Sequence, residues 1–223
     1  LGLRDASGEL LREARERTRG FPRALEALFA TLSADRSVTL SELLADSERY
    51  LPELVVEKLV GEAYKRLDGS SQLVMQALGI YGRPVTPNAV AYMLLSDTEV
   101  VDSARVLKHL ANMYFVRREG GLYYLHPVDA RHVLSKVSRY GVGSPRSLQI
   151  LTRRGADYFA QIRKPESEWL TLADIDPILA EFDLRCNAKD FDSAAAIASR
   201  ISFDFLLRWG HYHLILGMNQ RLQ

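Results

Sequence analysis

The sequence predicts a mainly α-helical chain interrupted by one short β-hairpin. Three observations predict it. Apolar residues recur three and four positions apart over most of the 223 residues, which is the period of a helix with one buried face. A single stretch, 114–125, changes to a period of two on either side of Gly120-Gly121, as a hairpin requires. Helix punctuation is dense, with serine, threonine and proline before apolar runs and glycine after them.

The first segment, 1–61, reads as a helical subdomain. Ser7 suits the cap of a helix that places Leu10, Leu11 and Ala14 on one side. Gly20 suits the position past its end, where a left-handed backbone is needed. Pro22 suits the first turn of the next helix, where no amide donor is required. Leu25, Leu28, Phe29 and Leu32 follow at helical spacing. Thr39-Leu40-Ser41-Glu42 has the form of a capping box, and Pro52 opens a helix through Val55, Val56, Leu59, Val60 and Ala63.

The second segment, 62–142, begins with a buried-looking helix over Gln72–Leu78, stopped by Gly79 and Gly82. Thr86-Pro87 is a cap followed by a first-turn proline, and the helix continues to Leu95. Val100, Ala104, Leu107 and Ala111 mark the inner face of a third helix. Tyr114–Arg118 and Leu122–Leu125 are the strand-like runs, joined by a Glu119-Gly120-Gly121 turn. Helix, helix, helix, hairpin is the order of a winged helix-turn-helix. Pro127 opens one more helix through Val133, Leu134 and Val137, and Gly141-Val142-Gly143-Ser144-Pro145 breaks it.

The third segment, 143–223, reads as a helical arm. One helix holds Leu148, Leu151, Gly155 and Phe159, and others run about 174–188, 190–200 and 202–222. Asp192–Ala198 carries small residues on consecutive faces, suited to close neighbours. Paired helices of this size resemble tetratricopeptide repeats. Trp209-Gly210 matches one repeat signature without its full spacing, so a plain helical linker bundle stays open as the other reading.

Composition narrows the function classes. With 47% hydrophobic and 26% charged residues the chain supports folded structure in one to three domains. A net charge of +1 supplies no global field toward nucleic acid or membrane. No apolar run approaches the roughly 20 residues that cross a bilayer, and the first residues lack a signal-peptide core. One cysteine, Cys186, allows no internal disulfide and suits a reducing cytosol; it reads as a small packed side chain. A cytoplasmic location is expected. Leu1 in place of a start methionine suggests a piece of a longer protein.

Catalytic and metal chemistry find little support. The Gly-Lys pair that ends a phosphate-binding loop occurs nowhere, so this stretch is expected not to hydrolyse ATP. The five histidines, His109, His126, His132, His211 and His213, lack zinc-protease spacing; His211 and His213 are expected on different sides of one helix, and no metal is expected. Basic side chains carry more information. Residues 103–140 hold seven Lys or Arg against two Asp or Glu. Arg105, His109 and Asn112 share a helix face with Lys108 beside it, while Arg117 and Arg118 lie in the hairpin. Such groups contact phosphates and base edges, or form a polar surface facing solvent or protein.

Two motifs carry a family resemblance. Arg19-Gly20-Phe21-Pro22-Arg23-Ala24-Leu25 and Leu125-His126-Pro127 stand about a hundred residues apart, the second at a strand-to-helix junction. In this order the chain resembles the regulatory arm of bacterial STAND proteins, the NB-ARC-type signal-transduction ATPases. The first motif is similar to the family's Gly-x-Pro, whose proline packs on adenine, and Pro22 matches it. The second is similar to Met-His-Asp, whose histidine reaches the β-phosphate of ADP, and His126 matches it. Leu125 replaces the methionine. Pro127 replaces the aspartate, so that carboxylate's role is not carried over, and Asp129 two residues later is not assigned it. Tyr158–Trp169 and Glu181–Arg185 resemble the helical linker beyond.

The resemblance implies a non-catalytic part of a nucleotide switch. Residues 1–61 and the winged helix would close over ADP or ATP with magnesium, held by an upstream P-loop domain. The last helices would carry, or join, a downstream helical-repeat sensor. ADP would lock the arm, and exchange to ATP would release it for self-association. The residues by themselves leave other readings open: His126 satisfied by a nearby carbonyl, a DNA-binding transcription regulator, or a protein-interaction scaffold without nucleotide.

Overall fold

The computed structural model describes residues 8–18, 20–35, 37–47, 52–95, 101–137 and 147–223. It is mainly helical, 73% of the chain, with twelve α-helices and one two-stranded antiparallel sheet among the described residues. Ser7, Val100 and the Gly141–Pro145 break lie outside them. The chain divides into two compact units, Leu1–Lys136 and Val137–Gln223.

The first unit opens with α1 (Gly8–Arg17), α2 (Pro22–Ala34), α3 (Leu40–Ser47) and α4 (Pro52–Lys65). Gly20 takes φ +69° and its N–H reaches back to the Arg15 carbonyl at 2.9 Å, closing α1. Pro22 then fills the first turn of α2. The capping box forms in both directions: Thr39 N–H donates to Glu42 Oε2 at 2.9 Å, and Glu42 N–H to Thr39 Oγ1 at 3.3 Å. Ala14, Ala24, Ala27, Leu28, Leu40, Leu43, Leu44, Leu59 and Val60 make the core of these helices.

Two of the expected faces differ. Leu11 is exposed, because one turn of α1 reaches the core through Ala14 and Leu10 alone. The deepest face of α2 is Ala24, Ala27, Leu28, Ala30 and Thr31, with Leu25, Phe29 and Leu32 only half-buried. Small side chains permit α2 and α4 to approach closely, so bulk moves to the flank of the contact. Position 61–62 lies inside α4, where no break occurs.

Next come α5 (Gly69–Tyr81), α6 (Pro87–Leu94), α7 (Ser103–Asn112), β1 (Arg117–Glu119), β2 (Leu122–Tyr124) and α8 (Pro127–Val137). Asp68, Thr86 and Asp102 cap α5, α6 and α7. Gly82, at φ +61°, ends α5; Gly79 does not. Gly79 is instead a contact point, where a Cβ would lie 2.6 Å from Val133 Cγ2 of α8. The inner face of α7 is Ser103, Leu107 and Leu110, and Ala104 is exposed. The strands are shorter than their sequence runs. Tyr114 turns at φ +63°, Phe115 and Val116 are buried in the turn, and pairing begins at Arg117 opposite Tyr124. Gly120 and Gly121, both at positive φ, make the hairpin turn. Val85, between α5 and α6, adds a bridge to Tyr123.

The second unit contains α9 (Leu148–Ile162), a 3₁₀ turn at Glu166–Glu168, α10 (Asp176–Asn187), α11 (Phe191–Ile201), a π-helical turn at Ser202–Leu207, and α12 (Tyr212–Leu222). Helices α9 and α10 run antiparallel, since Gln149 meets Ala188, Asp157 meets Arg185 and Arg163 meets Glu181. The core is continuous and apolar: Trp169, Ile175, Ile178, Phe182, Ala194, Ile197, Ile201, Leu206 and Met218. Three expectations change here. Tyr158–Trp169 is not one helix, because α9 ends at Ile162 and Pro165 sits in the connection. The expected 202–222 helix breaks at Trp209-Gly210-His211, where Gly210 takes φ +78° and His211 N–H returns to the Leu206 carbonyl at 2.8 Å. Within 192–198 only Ala194, Ile197 and Ala198 are buried, while Ala195 and Ala196 face out.

Among the described residues no helix is long and apolar enough to cross a membrane. Cys186 is buried, and that burial pushes its thiol up, with Arg221 opposing and Asp183 adding to the push.

Candidate functional site

The two sequence motifs meet through the residues that follow them. Pro22 is exposed at the start of α2. Arg23, next in the chain, turns inward and is 8% exposed. His126 is half-buried before α8, and Asp129, in the first turn of that helix, is 1% exposed. Arg23 Nη2 donates to Asp129 Oδ1 at 2.6 Å, across 106 positions of sequence, and lies equally close to the second carboxylate oxygen.

The same guanidinium serves two more groups. Its Nη1 donates to the Tyr114 carbonyl at 2.9 Å and to Glu26 Oε2 at 3.2 Å. Glu26, one turn along α2, accepts from Arg117 Nη2 at 2.7 and 2.5 Å. Two arginines and two carboxylates therefore tie α2 to the hairpin and to the start of α8. Burial pushes the Asp129 carboxyl above the usual carboxylate range, against the opposing charge and hydrogen bond of Arg23 and the charge of Arg117. Burial pushes Glu26 up as well, but hydrogen bonds from Arg117 and Arg23 outweigh it and hold the carboxyl below its ordinary value.

His126 occupies the cap position of α8. Val128 N–H donates to its Nδ1 at 3.3 Å, and Ala130 N–H donates to its carbonyl at 3.0 Å. Proline at 127 brings no amide of its own, so the ring takes the first available donor of the helix. A ring nitrogen that accepts cannot carry the proton of a neutral imidazole. That proton then sits on Nε2, which becomes the donor. The Val128 amide thus satisfies the ring at Nδ1.

The basic residues singled out in α7 also come together. Arg105, Lys108, His109 and Asn112 line one open cleft of about 610 Å³. Asp68, Ser70, Ser71 and Asp102 line it too, so two carboxylates share the space with the cations. In the hairpin, Arg118 is exposed and lies 5.7 Å from the Tyr123 ring centroid, while Arg117 is held by Glu26. The cleft is therefore of mixed charge.

His211 and His213, expected on different sides of one helix, have ring centroids 6.0 Å apart. The helix starts only at Tyr212, and His211 belongs to the turn before it.

Sequence reading missed Arg23, Glu26 and the burial of Asp129. Their signal was faint. Arg23 sits among small apolar residues on the inner face of α2, where a solvated arginine has no reason to be; only a buried partner explains it. Comparison of the chain with models of known families, with curated proteins and with solved structures finds no match.

Proposed function

We propose that this chain is the non-catalytic, regulatory part of a STAND-type nucleotide switch, closing over ADP or ATP bound with magnesium by an upstream P-loop domain. The observation that carries the reading is His126. It stands at the N-terminus of α8 with Nδ1 engaged by Val128 N–H, which assigns the donor role to Nε2 at a helix end that favours anions. Pro22, exposed at the start of α2, is available to a planar apolar base, and Arg23 binds the helix that His126 caps. The helices α5, α6 and α7 followed by the hairpin, with Val85 bridging to Tyr123, support a winged helix. The antiparallel α9–α10 pair supports the start of a repeat-like sensor arm.

The test is ADP retention by the intact protein. His126→Ala removes one hydrogen bond to a charged oxygen, a loss of about 1.5–3 kcal/mol, so the ADP dissociation constant rises about ten- to a hundredfold. An unchanged constant, measured by calorimetry, overturns the assignment.

A second reading has its own observation: Arg105, Lys108, His109 and Asn112 face one cleft. A duplex DNA titration at two salt concentrations tests it. Salt-sensitive binding that is lost in Arg105→Ala favours a DNA-binding regulator over the nucleotide switch.

A further inference from the structure

Among the described residues the core of α1–α4 takes in Val128, from the start of α8, as a half-buried neighbour. Polar bonds also join α2 to the segment 113–129. Arg23 holds Asp129 and the Tyr114 carbonyl, and Glu26 holds Arg117. One ring contact accompanies them, Phe29 on Tyr114 at 5.5 Å. The later turns of α8 are anchored differently: His132 meets the Tyr64 ring of α4 at 5.5 Å, and Val133 packs at Gly79 of α5.

Two features single out the Arg23 contact. The pair is buried, so its parts gain little until they meet and lose much when one is removed. It is incompletely satisfied, because Arg23 Nε is buried and hydrogen bonds to none of the described residues. Releasing the pair returns water to two charges. A contact with offsetting gains of this kind opens locally more readily than an apolar one.

We propose that the Arg23–Asp129 pair is a latch that clamps the start of α8 onto α2, and that its release loosens α2 against the segment 113–129 while the hairpin stays bridged to Val85 and tied to Glu26, and the rest of α8 stays anchored at Tyr64 and Gly79. The latch joins the residue after Pro22 to the helix that His126 caps. Its regulatory consequence, setting the separation of those two positions, rests on the nucleotide reading above. The latch itself does not.

The test is amide hydrogen exchange on the 223-residue chain without nucleotide, in wild type, R23M, D129L and the double variant. Each single change is expected to speed exchange at the start of α2 and across 113–130 by about tenfold, with α9–α12 unaffected. The double variant is expected to be no more open than the more open single, since the second change removes a contact already lost. Multiplying effects in the double, no change at 113–130, or equal acceleration in α9–α12 overturn the latch. D129N, which keeps shape and removes charge, is the variant to read should D129L not fold; it is expected to open the same amides to a smaller extent, and wild-type exchange in it overturns the latch. ADP retention in His126→Ala fails or succeeds independently of this cycle, so the two readings can be told apart.

Discussion

The two units are held together by different physics. In Leu1–Lys136 a buried ion pair joins elements 106 positions apart, beside an apolar cluster that takes in Val128. In Val137–Gln223 the apolar core is continuous from Trp169 to Met218. Several of its ion pairs lie at the margin, as in Arg200 with Glu166 and Arg221 with Asp183. The most enclosed carboxylate there, Glu181, lies between Arg185 and Arg163 at 3.5 Å each. Burial raises its carboxyl against both arginines. A unit stabilised by apolar area loses stability in proportion to the atoms removed. A unit held in part by buried charges is more sensitive to the loss of one partner, which leaves the other charge buried and unpaired.

The largest effect should come from the second unit. Phe182 is 1% exposed in the core of the second unit. Phe182→Ala should cost about 3–5 kcal/mol, read by denaturant unfolding as an early transition of that unit. A loss below about 1 kcal/mol would mean the core is not the continuous one described. Next is Gly79→Ala, which sets a methyl 2.6 Å from Val133 Cγ2 and should destabilise the first unit by about 1–3 kcal/mol through overpacking. The companion Val133→Ala should relieve part of that loss. Without rescue, the α5–α8 approach is not the cause.

The smallest effect is a pH dependence. Glu26 in the fold sits below its ordinary carboxylate value. Its stabilisation is therefore complete above its unfolded pKa and is lost as pH falls through the folded one. Asp129 sits above its ordinary value, so its contribution has the opposite sign and is lost as pH rises through its folded pKa. Glu26→Gln should consequently flatten the loss of first-unit stability between about pH 5 and pH 3. Unfolding titrations at those two pH values check it, and an unaltered slope would remove Glu26 from the charge cluster.

Local punctuation was legible residue by residue. Thr39 and Glu42, Thr86 with Pro87, Gly20 with Pro22, and Gly120-Gly121 all do what their types predict. Each acts on backbone within a few positions of itself. Helix faces were legible where large apolar residues line them, as at Leu107. They were misjudged in α2, where alanines form the close contact. The π-helical turn and the break at Gly210 were missed because 202–222 carries apolar residues at helical spacing on both sides of the break.

Of the candidate site, position was legible and bonding was not. His126 was recognisable at a strand-to-helix junction, yet its role as acceptor for Val128 depends on ring orientation. Arg23 and Asp129 each stood in plain view beside a motif, but nothing local to either names the other. The sequence alone determined where helices start and stop, because caps, prolines and glycines satisfy or withhold hydrogen bonds within one turn. Only the tertiary structure decided which charges are buried and with whom. Desolvation depends on everything packed around a group, and two residues 106 positions apart share an environment only once the chain has folded.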